Sequence, residues 1–192
     1  DEVTQGNDWY FRTIFTASDQ GALLANYINK ILKHETAYLI FDQDAFGTAL
    51  ATAFVHATKK LGMTVKHQWS FKNTEANSVE ESINQMVTTL QANPEPTVIF
   101  LAAHISEGAK IAIALKQLHH IQIVGPNSLA GNAFIEELRK TPQERSQPGY
   151  YSDGIYVASP YLSDIAGERA QQFEEAYIAK YQEEPLSYEA TY

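Results

Sequence analysis

Acidic, imidazole and hydroxylic side chains stand at a few abrupt boundaries in this chain. Asp42 and Asp44 form a D-x-D pair directly after the apolar run Tyr38-Leu39-Ile40-Phe41, within the stretch FDQDAFGTAL. Such a pair at a strand end could hold Mg²⁺ through one or two carboxylates. It could also cap the helix that the following residues begin, where a carboxylate meets free N–H groups and the positive end of the dipole. The cap is the preferred reading, because a helical pattern starts at once. Histidines occur at 34, 56, 67, 104, 119 and 120, and none falls into H-x-x-x-H or H-E-x-x-H. That spacing argues against a zinc site on one helix. His119 and His120 point different ways and are expected to cap carbonyls at a helix end.

The glycine patterns of phosphate cradles, G-x-x-x-x-G-K-[ST] and G-x-G-x-x-G, are absent, as is the serine elbow G-x-S-x-G. A phospho-acceptor aspartate would need a paired acidic cluster and a late-strand lysine. The later strands end instead in Ala102-Ala103-His104, Val124-Gly125-Pro126 and Ala158-Ser159-Pro160. No acid, base and nucleophile converge, so the chain is read as a non-enzyme that needs no cofactor and no metal. A rim of Thr16, Ser18, Phe46, Ala103, His104, Ser106, Asn127, Ser128 and Tyr161 suits a small polar ligand, held by hydroxyls and backbone N–H groups beside an aromatic wall.

These residues need a scaffold, and the pattern supplies one. Trp9–Phe15, Thr36–Phe41, Thr64–Phe71, Thr97–Ala102, Ile121–Val124 and Gly154–Ala158 read as strands. Between them run helical repeats. One follows Ser18, a candidate N-cap, and carries Leu23, Leu24, Tyr27, Ile28, Ile31 and Leu32. Gly47–Leu61 has Leu50, Phe54, Ala57 and Leu61 on one stripe, with Gly62 as its stop. Ser78 and Glu81 form an S-x-x-E capping box. Glu107–Leu118, Asn132–Lys140 and Ile165–Tyr181 complete the set, and TPQERSQPGYYSD is the long polar excursion. Strands alternating with helices predict an α/β fold: a doubly wound, mostly parallel sheet with helices on both faces. Ligands of such sheets sit beyond the carboxyl ends of the strands, where the rim residues lie.

Composition agrees. The 192 residues suffice for one good core, 44% are hydrophobic and 19% charged. No apolar run approaches the ~20 residues of a membrane span. A net charge of −9 repels nucleic acid and anionic membranes. The absence of cysteine excludes disulfides and thiolate chemistry. The first residues, DEVTQGNDWY, carry no apolar leader.

The order of motifs resembles the type I periplasmic binding proteins, specifically the branched-chain amino-acid receptor family and related sensor ectodomains. The matching stretches are YFRTIFTASDQG, YLIFDQDAFGTALATAFVHATKKLGMTV, PTVIFLAAHISEGAKIAIALKQL, IQIVGPNSLAGNAFI, SDGIYVASPY and FEEAYIAKYQEEPLSYEATY. Together they span almost the whole chain. The resemblance covers the second of the family's two lobes. It implies a crossover strand over 1–16, an α/β ligand-binding lobe over 17–182, and a return crossover over 183–192 toward a first lobe outside this chain. The sequence then reads as a domain of something larger.

The same resemblance implies ligand contacts at Phe46, His104 and Asn127, with Ser106 and Ser128 beside them, and hinges at Thr16, Ser18 and Tyr188. Asn127 departs from the carboxylate that amino-acid binders commonly place there. A neutral amide holds an ammonium less well, which shifts weight to hydroxylated, amide or anionic ligands. The implied function is an extracytoplasmic receptor lobe, periplasmic or extracellular, for a small amino-acid-like solute that is held between two lobes and handed to an ABC permease. The sensory ectodomain of a membrane signalling protein is the alternative of the same fold. A Mg²⁺-dependent enzyme or phospho-acceptor domain using Asp42 or Asp44 is the alternative of another class.

Overall fold

The computed structural model describes residues 6, 8, 9, 11, 13–161 and 167–185. They belong to two units, one of residues 17–158 and one formed by the stretches 1–16 and 159–192.

The larger unit alternates helix and strand: α1 (Ala17–Lys30), β1 (Thr36–Asp42), α2 (Ala45–Lys60), β2 (Thr64–Phe71), α3 (Ala76–Gln91), β3 (Thr97–Ala102), α4 (Ile105–Leu115), β4 (Ile121–Gly125), a 3₁₀ turn (Asn127–Leu129), α5 (Asn132–Leu138), α6 (Pro142–Ser146) and β5 (Ile155–Val157). The strands form one sheet in the order β2-β1-β3-β4-β5, with every pairing parallel. This is the doubly wound α/β architecture that the pattern predicts.

Strand composition explains the layering. All six residues of β3, TVIFLA, are buried, as a parallel strand covered on both faces requires. Its side chains alternate between two cores. Ile99 and Leu101 join Tyr38, Ile40, Trp69, Met86 and Ile111 in a core under α3, α4 and α5. On the opposite face Phe100 stacks on Phe54 of α2 at 4.3 Å, and Leu24, Ile28, Leu39 and Leu50 are buried too. Burying each such side chain contributes about 1.5–3 kcal/mol before entropy is counted. Gly62, at φ +73, ends the second helix in the left-handed conformation that glycine adopts without strain.

Several local expectations change. Among the described residues of 9–15 none is in a strand. The capping box does not form. The third helix starts at Ala76, so Ser78 lies inside its first turn, and its Oγ accepts from Lys72 N at 3.1 Å instead. The polar excursion contains α6, capped by the Thr141 hydroxyl and opened by Pro142 at a position where a missing N–H costs nothing. Among the described residues, neither His119 nor His120 donates its ring N–H to a helix carbonyl. It is the backbone carbonyl of His120 that is engaged, by Thr97 N at 3.0 Å. No helix among the described residues is long and apolar enough to cross a membrane.

In the smaller unit, α7 (Glu168–Tyr181) buries none of its residues. Phe173, Tyr177 and Tyr181 form a ladder of rings along it, with centroids 5.7 and 4.5 Å apart.

Candidate functional site

The sheet order changes direction between β1 and β3. Chains leaving these neighbouring strands pass to opposite faces, so a crevice opens at their carboxyl ends. The FDQDAFG turn stands on one side of it and the AAHISEG turn on the other.

The first turn is built by Asp42, Asp44 and Gly47. Asp44 is the N-cap of α2, and its Oδ1 accepts from Gly47 N at 2.7 Å. This is the role the sequence favours for it. Gly47 is needed for a steric reason: a Cβ there would press on the Asp42 carbonyl oxygen and lie 3.0 Å from the Ala102 carbonyl oxygen. The bare backbone at Gly47 thus lets the head of the second helix sit directly on the ends of β1 and β3. Phe46 follows from this placement, half-buried in the first helical turn.

His104 occupies the N-cap position of α4 without a capping hydrogen bond, so its ring is free to turn across the crevice. Its Nε2 lies 2.6 Å from Asp44 Oδ2, and its ring centroid lies 5.1 Å from that of Phe46. Burial by itself raises the Asp44 pKa, but the His104 contact and the Gly47 N–H outweigh it and hold the carboxyl below its ordinary value. Asp42 is almost wholly enclosed. Its Oδ1 accepts weakly from Asp44 N at 3.3 Å and Asn73 N at 3.4 Å, and its Oδ2 has no partner among the described residues.

The third turn joins from β4. Ser128 donates its Oγ proton to the Ala103 carbonyl at 3.1 Å, which ties the two turns together. Asn127 N donates to Gln20 Oε1 at 3.0 Å, while its side-chain amide makes no hydrogen bond among the described residues. Ser106 is exposed in the first turn of α4. Ser18 is exposed in the first turn of α1, one residue inside the helix it was expected to cap. Thr16 directly precedes that helix, and Tyr188 lies outside the described residues.

The structure therefore brings Phe46 and His104 into ring contact and ties Ser128 to the same strand ends. Two participants escaped the sequence reading. Gln20 anchors Asn127, and the signal was available: Gln20, Leu24 and Ile28 share a 4-residue spacing that puts all three on the buried face. The Asp44–His104 pair spans 60 residues, and nothing local announces it.

Comparison with known proteins gives a consistent result. The family model described as periplasmic binding protein matches residues 1–192. Leu/Ile/Val-binding protein homolog 3 of Brucella melitensis is 29% identical over 119 residues, which are 62% of this chain and 30% of that protein. The branched-chain amino acid transporter substrate binding protein LivJ of Streptococcus pneumoniae, solved with isoleucine, superposes with a TM-score of 0.80 at 22% identity. It covers all of this chain and 51% of its own. A leucine binding protein, LivK of Thermotoga maritima, gives 0.80 at 21%, covering 99% of this chain and 50% of that one. A solute binding protein of R. palustris in complex with benzoate gives 0.68 at 17%, covering 94% and 46%. This chain spans about half the length of the solved structures it matches.

Proposed function

We propose that this chain, which belongs to the periplasmic binding protein family, is a ligand-binding lobe of an exported solute receptor and is not an enzyme. Residues 17–182 serve as the lobe, and the segments 1–16 and 183–192 as crossovers to a first lobe that completes the pocket. Thr16, Ser18 and Tyr188 act as hinges about which the lobes close on the ligand.

The observation that carries this reading is the meeting of Phe46 and His104 at the sheet's switch point, with ring centroids 5.1 Å apart. A partly open aromatic and imidazole pair at that position offers a wall and a hydrogen-bonding group together, as small-molecule sites require. Asn127, Ser106 and Ser128 extend it with neutral polar groups.

The ligand is a small polar molecule that carries a carboxylate or an amide. The solved relatives hold isoleucine in one case and benzoate in another. These share a carboxylate, but only isoleucine has an ammonium. A neutral Asn127 favours the class that does not depend on an ammonium. Delivery to an ABC permease from the periplasm or cell exterior is the transport version. A sensory ectodomain is the alternative, and a transmembrane span in the parent protein would favour it.

The test is thermal melting of the parent protein with amino acids, amides, carboxylates and polyols. A ligand at a hundred times its Kd stabilises by roughly 2.7 kcal/mol, a readily measured shift. A shift with one class, reduced in Phe46→Ala, supports the reading. The absence of any shift across the panel contradicts it.

A further inference from the structure

We propose that Asp42, Asp44 and His104 bind a borderline divalent transition-metal ion, Zn²⁺ foremost, at the carboxyl ends of β1 and β3. One donor atom from each of the three residues lies within 4.8 Å of the other two. An acidic cluster alone would not justify this, since exposed carboxylates gather on many surfaces. Asp42 supplies the independent reason. It is 1% exposed, and its Oδ2 has no hydrogen-bond partner among the described residues. A buried carboxylate oxygen left without a donor is disfavoured, and buried charges are ordinarily paired or coordinate a metal.

The remaining donors are arranged to serve such an ion. Asp44 uses Oδ1 for the helix cap, which leaves Oδ2 on the side facing His104. The Gly47 N–H thereby orients the ligating carboxylate from behind, as outer partners of metal ligands do. Zinc–ligand distances of about 2.0–2.2 Å imply donors roughly 3.3 Å apart in a tetrahedron. Asp44 Oδ2 and His104 Nε2, now 2.6 Å apart, must therefore part to admit the ion, and all three donors must settle near that spacing. Asp42 is fixed by burial. The Asp44 and His104 side chains, 31% and 43% exposed, are the arms that can move. His104 exchanges its contact with Asp44 for the metal, and any proton on Nε2 is released to solvent. Two carboxylates balance the ionic charge, and the open side leaves room for water or a further ligand.

The donor set also selects the ion. Mg²⁺ and Ca²⁺ prefer oxygen throughout, whereas an imidazole suits zinc and its neighbours. The donor set of the D-x-D pair thus favours zinc over the magnesium that its two carboxylates alone could hold. Its third ligand comes from another turn and changes its preference.

The proposal does not rest on the ligand reading, so it is tested without organic ligand. ZnCl₂, MgCl₂ and CaCl₂ are titrated calorimetrically into the full chain. We expect one equivalent of Zn²⁺ and no saturable heat with Mg²⁺ or Ca²⁺. Asp42→Asn and His104→Ala should each weaken zinc binding at least about tenfold. Circular dichroism checks that Asp42→Asn still folds; should it not, His104→Ala, at a partly exposed position, decides the matter. A variant lacking the exposed His56, His67 and His119 should bind zinc as the unaltered chain does. The proposal is overturned if zinc shows no saturable binding. It is equally overturned if His104→Ala binds zinc within about twofold of the unaltered chain, or if losing the three exposed histidines abolishes binding.

Discussion

His104 Nε2 lies 2.6 Å from Asp44 Oδ2, so the heads of α2 and α4 are latched across the crevice between β1 and β3. The contact joins residues 60 positions apart. Asp44 has two tasks here, capping its own helix with one oxygen and holding the imidazole with the other.

This double use separates two substitutions. Asp44→Ala removes both the cap and the latch, and should cost about 1–2 kcal/mol in urea unfolding. Asp44→Asn retains an oxygen for Gly47 N and should cost no more than about half of that. Equal losses would mean that the charge on Asp44, rather than the cap, carries the stabilisation.

Magnesium and calcium should leave the melting temperature of the chain unchanged at millimolar concentration. The donors that meet at Asp42 and Asp44 include a histidine nitrogen, which neither ion favours. A magnesium-dependent rise that disappears in Asp44→Ala would support the phospho-acceptor or enzyme alternative instead.

Gly47→Ala should destabilise the chain by about 3 kcal/mol or more, because the added methyl would be forced onto the Asp42 carbonyl oxygen and the backbone cannot yield cheaply. Ala45→Gly, two residues earlier at an exposed position, should cost only about 1 kcal/mol. Denaturant titration of both variants checks the contrast.

Glu144 should make stability depend on pH. Its side chain is buried and accepts from Gly149 N at 2.8 Å, Tyr151 N at 2.7 Å and Ser152 Oγ at 3.1 Å. Burial alone pushes its pKa up, but the Tyr151, Gly149 and Ser152 donors outweigh burial and hold it below the ordinary value. A carboxyl depressed on folding contributes its full stability above the unfolded value, near pH 4.3, and loses it as pH falls through the lower folded value. Glu144→Gln should flatten this dependence and cost roughly 2 kcal/mol at neutral pH, since an amide N–H would face one of the backbone donors. Unfolding curves between pH 2 and 7 would show both effects.

The fold was legible where the chain is most regular. TVIFLA announced a strand covered on both faces, and the stripe Leu50, Phe54 and Ala57 gave the helix that covers one of them. Asp44 as a cap was legible too, because capping is a local event. What could not be read depends on contacts distant in sequence. Ser78 matched the capping box, yet the chain entered its helix three residues earlier, with Glu75 at the N-cap, and Ser78 Oγ accepts from Lys72 N. His104 was legible as a residue of the rim, but not its pairing with Asp44, which only the sheet order places opposite it. Asp42 read as one half of a D-x-D pair at a strand end, and nothing in its spacing told that it is almost wholly buried while Asp44 is only partly so.

The central claim is that this tip meets a small molecule, and a crystal structure of the parent protein with the ligand that most raises its melting temperature tests it most directly. Ligand atoms should lie within about 4 Å of both the Phe46 ring and the His104 imidazole. A ligand bound elsewhere, with these two side chains untouched, would contradict it.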